Sequence, residues 1–271
     1  MLRLFLLIAL AFAAAEPLKA EPATFTVMTY NIRGGLGGAG AERNPIEARG
    51  KILDLRPVIA AVRSAKADVI ALQEVVGEAQ AREIATALGM KHVYARHGAK
   101  YGNWWGLAIL SRFPILNHRS DATSSGRGNT RSDLTAVIRI DGRSLTIVNV
   151  HPDKDLKDGA PIGRTIERVA SAEGPLVVLG DFNARPGAER IAPVQSRPTD
   201  VSRIATASGA SDVGRHPTFM REGQPVRGAR IDYIFVDPRY IDVRDVRLLD
   251  RAHWPASDHI GVIARMGLRG R

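Results

Sequence analysis

The sequence predicts a single α/β domain whose sheets contain both parallel and antiparallel strands. Short apolar runs of strand length recur along the chain, and segments with helical spacing lie between several of them. One pair of runs is joined by Asp141-Gly142, which is a strong hairpin signal. Hairpins give antiparallel pairs and helical crossovers give parallel ones, so we expect mixed sheets. A chain of 271 residues fits one such domain, placed at about 24–268.

Predicted strands and helices follow one another in the first half of the chain. Apolar residues there occur by turns in strand-like runs and at helical spacing. Pro57 falls inside the first predicted helix and is a candidate for the residue at which that helix begins. Gly34–Gly40 and the Ser-, Gly- and Arg-rich stretch Ser120–Asn129 are predicted loops. The predicted elements are strand Thr24–Tyr30, helix Ile52–Ser64, strand Ala67–Glu74, helix Ala79–Leu88 and strand Leu107–Ser111.

The second half is predicted to be richer in strands. The apolar run from Leu176 stops abruptly at Gly180, as a buried strand does. The pattern between Ala184 and Arg215 is too weak to predict any element. The predicted elements are the hairpin Leu134–Ile140 with Leu145–Val150, helix Ile162–Ala172, the strand from Leu176, and strands Ile231–Val236, Val243–Leu248 and Ile260–Arg265.

The N-terminus is predicted to be a secretory signal peptide within residues 1–20. Met1-Leu2-Arg3 is a basic start, Leu4–Ala15 is apolar, and small residues allow cleavage after Ala15 or Ala20. The apolar run is shorter than the ~20 residues that a membrane-spanning helix needs. We therefore expect a secreted or periplasmic protein.

The composition excludes some classes of site and favours a polyanionic partner. The chain has no cysteine, which excludes disulfides and thiolate metal sites. Its formal charge of +10 suits either nucleic acid or an acidic membrane surface. Arginines in predicted rim loops add to this charge: Arg112, Arg119, Arg127, Arg131 and Arg215.

Polar side chains occur at the ends of several predicted strands. Each alone has an ordinary explanation as a turn former, a cap or a solvated group. Function tends to be located where loops leave a rigid sheet, so their shared position indicates one site. Hard oxygen donors suit Mg²⁺, Mn²⁺ or Ca²⁺, and with two histidines they suit hydrolysis of a phosphate ester. The residues are Asn31, Glu74, His151, Asp181, Asn183, Asp232, Asp258 and His259.

Six short motifs, taken in their order along the chain, resemble those of the endonuclease/exonuclease/phosphatase superfamily of DNase I, AP endonucleases and neutral sphingomyelinases. The resemblance covers nearly the whole mature chain. It implies a four-layered α/β sandwich of two packed mixed sheets flanked by helices. The motifs are Thr29-Tyr30-Asn31-Ile32, Leu72-Gln73-Glu74-Val75, Leu107-Ala108-Ile109-Leu110-Ser111-Arg112, Gly180-Asp181-Phe182-Asn183, Arg230-Ile231-Asp232-Tyr233-Ile234-Phe235 and Ser257-Asp258-His259.

The resemblance also implies a metal site and a substrate site. Glu74 would be the main ligand of Mg²⁺ or Mn²⁺, with Asn31 and Asp258 nearby. Arg131 matches a phosphate-facing arginine, and Asn183 would bind the phosphate.

The same resemblance implies how the reaction would be catalysed. Asp181 would orient the attacking water or act as general base. His259, positioned by Asp232, would contact the scissile phosphate. His151 would serve as general acid or as a further donor to the phosphate. Pro152 stands where the family usually has leucine, a departure beside His151.

Three functions remain open on the sequence. A nuclease acting on DNA or RNA suits the motifs and the basic charge, with Trp104 and Trp105 stacking on bases or packing in the core. A sphingomyelinase-like phosphodiesterase would insert the same tryptophans into an anionic lipid surface, and a phosphatase for small phosphate esters is a close variant. A non-catalytic binding module is the least favoured. We predict a monomer with no protein partner.

Overall fold

The computed structural model describes residues 24–38, 53–97, 105–124, 130–153, 164–165, 167, 174–195, 199–201, 203, 213–221 and 224–270. Within these ranges the chain forms two six-stranded sheets and a small two-stranded one. The predicted signal peptide, Trp104, Arg127 and most of the predicted helix Ile162–Ala172 lie outside them. No helix of the described residues is long and apolar enough to cross a membrane.

The first sheet has the strand order β13-β14-β1-β2-β4-β3. β1 and β2 are parallel, and every other neighbouring pair is antiparallel. The two helices α1 (Arg56–Ser64) and α2 (Gly77–Leu88) flank β2 in the chain. The strands are β1 (Thr24–Asn31), β2 (Val69–Val76), β3 (Lys91–Arg96), β4 (Trp105–Ser111), β13 (Ile241–Leu248) and β14 (Val262–Leu268).

The second sheet has the order β5-β6-β7-β8-β12-β9, and its one parallel pair is β7 with β8. The predicted hairpin at Asp141-Gly142 is confirmed as the β6–β7 connection. A separate ribbon consists of β10 (Phe219–Arg221) and β11 (Gln224–Ala229). The strands of the sheet are β5 (Ile115–Ser124), β6 (Thr130–Ile140), β7 (Arg143–Val150), β8 (Leu176–Asp181), β9 (Thr199–Asp200) and β12 (Asp232–Val236).

Burial shows the layers of a sandwich. One apolar cluster fills the space between the sheets, with Val27 and Leu107 from one and Ile147 and Ile234 from the other. A second cluster packs α1 and α2 onto the outer face of the first sheet. A third packs Ile191 and its neighbours onto the outer face of the second. This arrangement confirms the predicted DNase I-like fold, because alternate residues of each strand are buried on opposite faces.

One expectation about the fold was wrong, and some elements were not predicted. Residues 120–124 of the predicted loop Ser120–Asn129 belong to β5, which pairs with β6 along its length. β5 is an edge strand with mostly exposed side chains, so its composition is polar and lacks the alternation of a half-buried strand. The edge strand β3 was missed for a similar reason, and Ala184–Arg215 contains short elements that were not predicted. The first helix begins at Arg56, so the candidate start at Pro57 is confirmed over Ile52.

Candidate functional site

The topology brings the predicted site residues to one edge of the sandwich. β1 and β2 are parallel, as are β7 and β8, so their carboxyl ends lie at common edges. Asp232 opens the antiparallel strand β12 and is paired directly with Asp181. A ligand site at the carboxyl ends of such strands is common in α/β folds. The residues at this edge are Asn31, Glu74, His151, Asp181, Asn183, Asp232, Asp258 and His259.

A β-bulge aims Glu74 into the site. The pairing of β2 with β4 shifts between Leu72 and Val75, and Glu74 adopts a left-handed backbone with φ 58°. A bulge places an extra residue in one strand and redirects its side chain, a device found beside active sites. The Glu74 side chain is consequently 16% exposed at the end of an otherwise buried strand.

A buried amide bridge fixes the two sheets relative to each other beneath the site. Gln73 Nε2 donates to Asn149 Oδ1 at 2.8 Å. Asn149 Nδ2 donates to the carbonyl oxygens of Leu72 at 2.9 Å and Ala108 at 3.0 Å. Gln73 precedes Glu74 and Asn149 lies two residues before His151, so the bridge sets the spacing between these two site residues.

Gly180 allows β7 and β8 to approach closely just before the site. Its φ is +151°, and a Cβ at this position would lie 2.0 Å from the carbonyl oxygen of Val150. Only glycine permits such a contact between backbones. His151 and Asp181 directly follow the two residues in contact, which places their side chains next to each other.

Asp181 lies at the centre of the site. Its carboxylate accepts hydrogen bonds from Asn31 Nδ2 at 3.1 Å and from the Asn183 backbone N–H at 2.8 Å. The Nε2 atoms of His151 and His259 lie 3.4 and 3.7 Å from its Oδ2. Burial raises the pKa of Asp181 to about 6, with the charge of Asp232 adding to this and His259 opposing it. A carboxylate with a pKa near the working pH suits general-base catalysis.

His259 is held as a cation by carboxylates. Its Nδ1 donates to Asp232 Oδ2 at 2.9 Å. Burial lowers the pKa of His259, but Asp232 and Asp181 more than compensate and raise the pKa well above its ordinary value. The proton on Nδ1 is thus fixed by Asp232, and Nε2–H points toward Asp181.

Thr218 and Phe219 position this pair. Thr218 Oγ1 accepts the backbone N–H groups of Ile231 and Asp232, each at 3.0 Å. Phe219 forms a β-bridge with His259, and their rings are 5.2 Å apart. One dipeptide therefore fixes the backbone of both members of the hydrogen-bonded pair.

His151 is held neutral by cations and burial. Arg131 Nη1 lies 3.1 Å from His151 Nδ1, and because a guanidinium only donates, Nδ1 accepts. The ring proton is then on Nε2, which faces Asp181 and lies 3.9 Å from Glu74 Oε1. Burial, Arg131 and His97 lower the pKa of His151 well below its ordinary value. Two roles were predicted for His151. Its neutral state favours the donation of a hydrogen bond to the phosphate over the delivery of a proton.

Two groups of residues offer ligands for a divalent metal. Among the described residues, ligand atoms of Asp181, Asp232 and His259 lie within 4.8 Å of one another. His259 is itself a cation engaged with Asp232, so a second cation on this group would meet repulsion. The predicted group around Glu74 fits a cation better because burial and the charge of Asp258 raise the pKa of Glu74 to about 7. The carboxylates of Glu74 and Asp258 repel each other when both are ionised, and a divalent ion beside their oxygens would relieve this repulsion.

The remaining predicted residues have mixed positions. Asn183 Nδ2 donates to the carbonyl oxygen of Pro152 at 3.1 Å, which anchors the chain after His151. Trp105 is buried, and the Arg131 guanidinium carbon lies 6.0 Å from the centre of its ring. Arg112 was wrongly assigned to the rim: it follows β4 beside Asp68, at the start of β2 and thus at the opposite edge. Arg119 lies within strand β5 rather than in a loop.

Sequence reasoning missed three neighbours of the site. Gln73 was quoted only as part of a motif, although its amide bridges the sheets. Arg33 Nε lies 3.5 Å from Asp258 Oδ2. His97 has its ring centre 5.8 Å from that of His151. His97 directly follows the edge strand β3, which has no clear apolar pattern, so only the imidazole itself could have drawn attention to it.

Comparison with solved structures supports the fold. A protein of the endonuclease/exonuclease/phosphatase group from Beutenbergia cavernae DSM 12333 superimposes with a TM-score of 0.68 at 21% identity, over 92% of this chain and 72% of the other. The human nocturnin catalytic domain with bound sulfate gives 0.69 at 18%, over 91% and 95%. Truncated TDP2 of Caenorhabditis elegans gives 0.65 at 18%, over 90% and 97%.

A comparison with curated proteins returned no match. The model of the endonuclease/exonuclease/phosphatase family matches residues 28–259, which span every site residue described above. Members of this family are phosphoesterase hydrolases that typically depend on divalent metal ions. With this match and the same fold, the chain belongs to the endonuclease/exonuclease/phosphatase family and is a hydrolase of phosphate esters.

Proposed function

We propose that the protein is an exported, metal-dependent phosphodiesterase that hydrolyses nucleic acid. The observation that carries this proposal is the environment of Asp181, a buried carboxylate with a pKa of about 6 placed between two histidines in opposite charge states. A base, a cationic donor and a neutral donor around one point match the needs of phosphate ester hydrolysis.

The residues of the chain divide the work as follows. Asp181 accepts a proton from the attacking water, whose oxygen bonds to phosphorus as the bond between phosphorus and the leaving oxygen breaks. The leaving oxygen takes its proton from solvent. His259 places a positive charge beside the phosphate oxygens, and the Nε2–H of His151 adds a neutral hydrogen bond. Asp232 and Arg131 keep the two rings in these states.

A divalent ion held by Glu74, with Asn31 and Asp258 nearby, would supply further positive charge to the phosphate. The Asn31 side chain contacts Asp181 directly, so it would link such an ion to the base. Mg²⁺ and Mn²⁺ are the cations that this all-oxygen donor set suits.

The choice of nucleic acid rests on charge and on one tryptophan. The formal charge of +10 and the buried Arg131 favour a polyanion. A lipid substrate would gain from insertion of Trp104 and Trp105 together, but Trp105 is only 5% exposed. Export rests on the basic, apolar and small-residue pattern of residues 1–20.

The test is a panel of plasmid DNA, RNA, sphingomyelin liposomes and small phosphate monoesters, each with Mg²⁺. We expect magnesium-dependent nicking of the plasmid by the purified mature protein and its loss in Glu74→Ala. Glu83→Ala, an exposed glutamate on α2, is the matched control and should nick normally. Release of phosphocholine without plasmid nicking would replace nucleic acid by lipid as the substrate, and inactivity on every substrate would refute the proposal.

A further inference from the structure

We propose that Gln80 is a positioning residue for the divalent-metal site, because its side-chain amide joins the segment that follows Asn31 to the segment that follows Glu74. The inference rests on the proposed metal-dependent function and deepens it, since it names a residue of helix α2 that sets the geometry of two metal ligands. The contacts of the amide, the backbone on both sides of it and the loop that it holds support this role.

The Gln80 amide lies between two backbone groups. The residue belongs to the first turns of α2 and is buried. Its Oε1 accepts the backbone N–H of Val76 at 2.7 Å, and its Nε2 donates to the backbone carbonyl oxygen of Gly34 at 2.9 Å. A side-chain amide carries the same kinds of donor and acceptor as a peptide group. Gln80 therefore acts as an inserted peptide unit that links the chain after β1 to the end of β2.

The regular pairing of β1 with β2 ends where this link begins. In the described part of these strands, the parallel register ends at Asn31 opposite Gln73. The bulge at Glu74 follows directly, and a bulge interrupts the ladder of hydrogen bonds. The Gln80 amide therefore continues the connection between the two segments beyond the point at which the strands themselves are paired.

Both segments adopt left-handed backbone conformations next to the link. Arg33 has φ 47° and Glu74 has φ 58°, although neither is a glycine. Such conformations persist only where the surrounding contacts determine them, and they cluster at active sites and ligand clamps. Gly34 has φ 62°, and a Cβ there would lie 2.9 Å from Val76 Cγ2, so the two segments are in direct contact. The Gln80 amide is a hydrogen-bonded connection across this contact.

Only short pieces of chain separate the link from the two metal ligands. Val76 lies two residues after Glu74. Gly34 follows Arg33, whose backbone N–H donates to Asn31 Oδ1 at 3.0 Å and fixes the direction in which that amide faces. Burial raises the pKa of Glu74 to about 7, and a hydrogen bond from the Asn31 side chain opposes this rise. The two ligands are thus in contact, and a shift of either segment would separate them.

The loop that begins at Arg33 also reaches Asp258, the third predicted ligand. The Arg33 Nη1 donates to the carbonyl oxygen of Gly38 at 3.1 Å, and its Nε lies 3.5 Å from Asp258 Oδ2. The Gly38 backbone N–H donates to the carbonyl oxygen of Pro255 at 2.8 Å. This loop is therefore fixed near its start by Gln80 and at its far end by the segment that carries Asp258.

Two substitutions separate the link from a purely structural role. The competing explanation is that Gln80 only completes the start of α2, where backbone N–H groups lack partners within the helix. In Gln80→Glu the carboxylate can still accept from Val76 and is favourable near a helix N-terminus, but it cannot donate to Gly34. Gln80→Met keeps the length of the side chain and its neutral charge, and it removes both hydrogen bonds.

The experiment measures the binding of Mn²⁺ to the chelator-treated protein by isothermal titration calorimetry. We expect Gln80→Met to raise the Kd about 10- to 100-fold, as the loss of a contact that orients metal ligands typically does. Gln80→Glu should keep the native melting temperature and still raise the Kd, although its added negative charge alone would favour a cation. Ile84→Val, one turn further along α2, is the matched control: it removes a buried methyl group and should lower the melting temperature without changing the Kd.

A double substitution tests whether Gln80 acts through Asn31. In an Asn31→Ala background, Gln80→Met should raise the Kd less than it does in the native protein, because residues that act through one another are not additive. The same effect in both backgrounds, or an unchanged or lower Kd in either Gln80 variant that folds, would overturn the inference. Normal Mn²⁺ binding by Gln80→Met in a protein that nicks plasmid would leave the proposed function intact, whereas weaker binding in a protein inactive on every substrate would refute only that function.

Discussion

The two sides of the site use the same residue type in opposite ways. His259 is surrounded by carboxylates and has a pKa well above the ordinary value, so it is a cation. His151 is buried beside Arg131 and His97 and has a pKa well below it, so it is neutral. Both rings direct Nε2 toward Asp181 Oδ2, at 3.7 and 3.4 Å. The chemistry of each histidine is therefore set by the partner of its Nδ1 rather than by its own identity.

This difference has a consequence for the phosphate. A charged donor and a neutral donor on opposite sides of one base can bind an anion without both repelling a divalent ion that would bind beside Glu74. If both rings were cations, the site would carry an extra positive charge next to Arg131. If both were neutral, the site would have one positive charge fewer to oppose the developing negative charge of the transition state.

The largest effect is expected when a member of the catalytic trio is removed. Asp181→Ala, His151→Ala and His259→Ala should each lower kcat by at least ~10² and by up to ~10⁴, because a general base or acid or a directed donor is lost. The measurement is turnover of a plasmid substrate, with folding checked by circular dichroism. The control is His92→Ala, which replaces a histidine remote from the site and should retain full activity. Full activity in any of the three site variants would remove that residue from the mechanism.

A second prediction changes only the surroundings of His151, the neutral histidine. Arg131→Gln should raise the pKa of His151, since a nearby positive charge no longer opposes its protonation. Loss of this contact should also lower kcat by about 10²-fold, as for removal of one oxyanion donor. Histidine NMR titration of the metal-free protein gives the pKa, and His259 should keep its own. A pKa of His151 that does not rise would show that burial alone keeps it neutral.

A third prediction concerns the support of the charged side. Thr218→Val keeps the shape of the side chain but leaves the N–H groups of Ile231 and Asp232 without their acceptor. Each buried unpaired N–H costs about 1–3 kcal/mol, so we expect a lower free energy of unfolding and reduced activity. Thr218→Ser retains the hydroxyl and should restore most of the activity, though not all of the stability. Denaturant unfolding and turnover would be measured side by side.

The smallest effect is expected in the stability of the metal-free protein. The pKa of Glu74 is raised from 4.5 to about 7 and that of Asp181 from 3.8 to about 6, so their ionised forms destabilise the fold. The free energy of unfolding should rise as the pH falls from 8 to about 6.5, because the folded state then binds more protons than the unfolded chain. The raised pKa of His259 acts in the same direction, since its contribution is lost at high pH. Below about pH 6.5 the lowered pKa values of His151 and His97 act in the opposite direction, since the unfolded chain protonates these two histidines first.

The matched variant assigns part of this change to Glu74. Glu74→Gln should be more stable than the native protein at pH 8 by about 1–3 kcal/mol and should flatten the pH dependence. Mg²⁺ should stabilise the native protein and have little effect on the variant. Glu83→Gln, which is exposed on α2, should behave as the native protein in both respects. Equal stabilisation of both proteins by Mg²⁺ would place the metal elsewhere.

Much of the fold could be predicted, because most strands in the interior of the two sheets carry a clear apolar pattern. β2, β4 and β8 are buried on both faces and read as continuous apolar runs. The edge strands β3 and β5 could not be found in this way, since only one long edge of each is paired and the side chains of β5 are mostly exposed. Their stability comes from pairing with a neighbour, which a local pattern does not record.

The sequence by itself predicted eight residues of the site, but not Gln73, Arg33 or His97 beside them. Short motifs at strand ends supplied a carboxylate, an amide or an imidazole at each position. The carboxyl ends of the parallel strands meet at one edge, and the antiparallel strand β12 begins at that edge with Asp232.

What the tertiary structure decided is the state of each group. The charge on His151 and on His259 and the pKa of Asp181 all depend on burial and on partners far away in the chain. Electrostatic energies in a buried site depend on distance and surroundings, which no order of residues specifies.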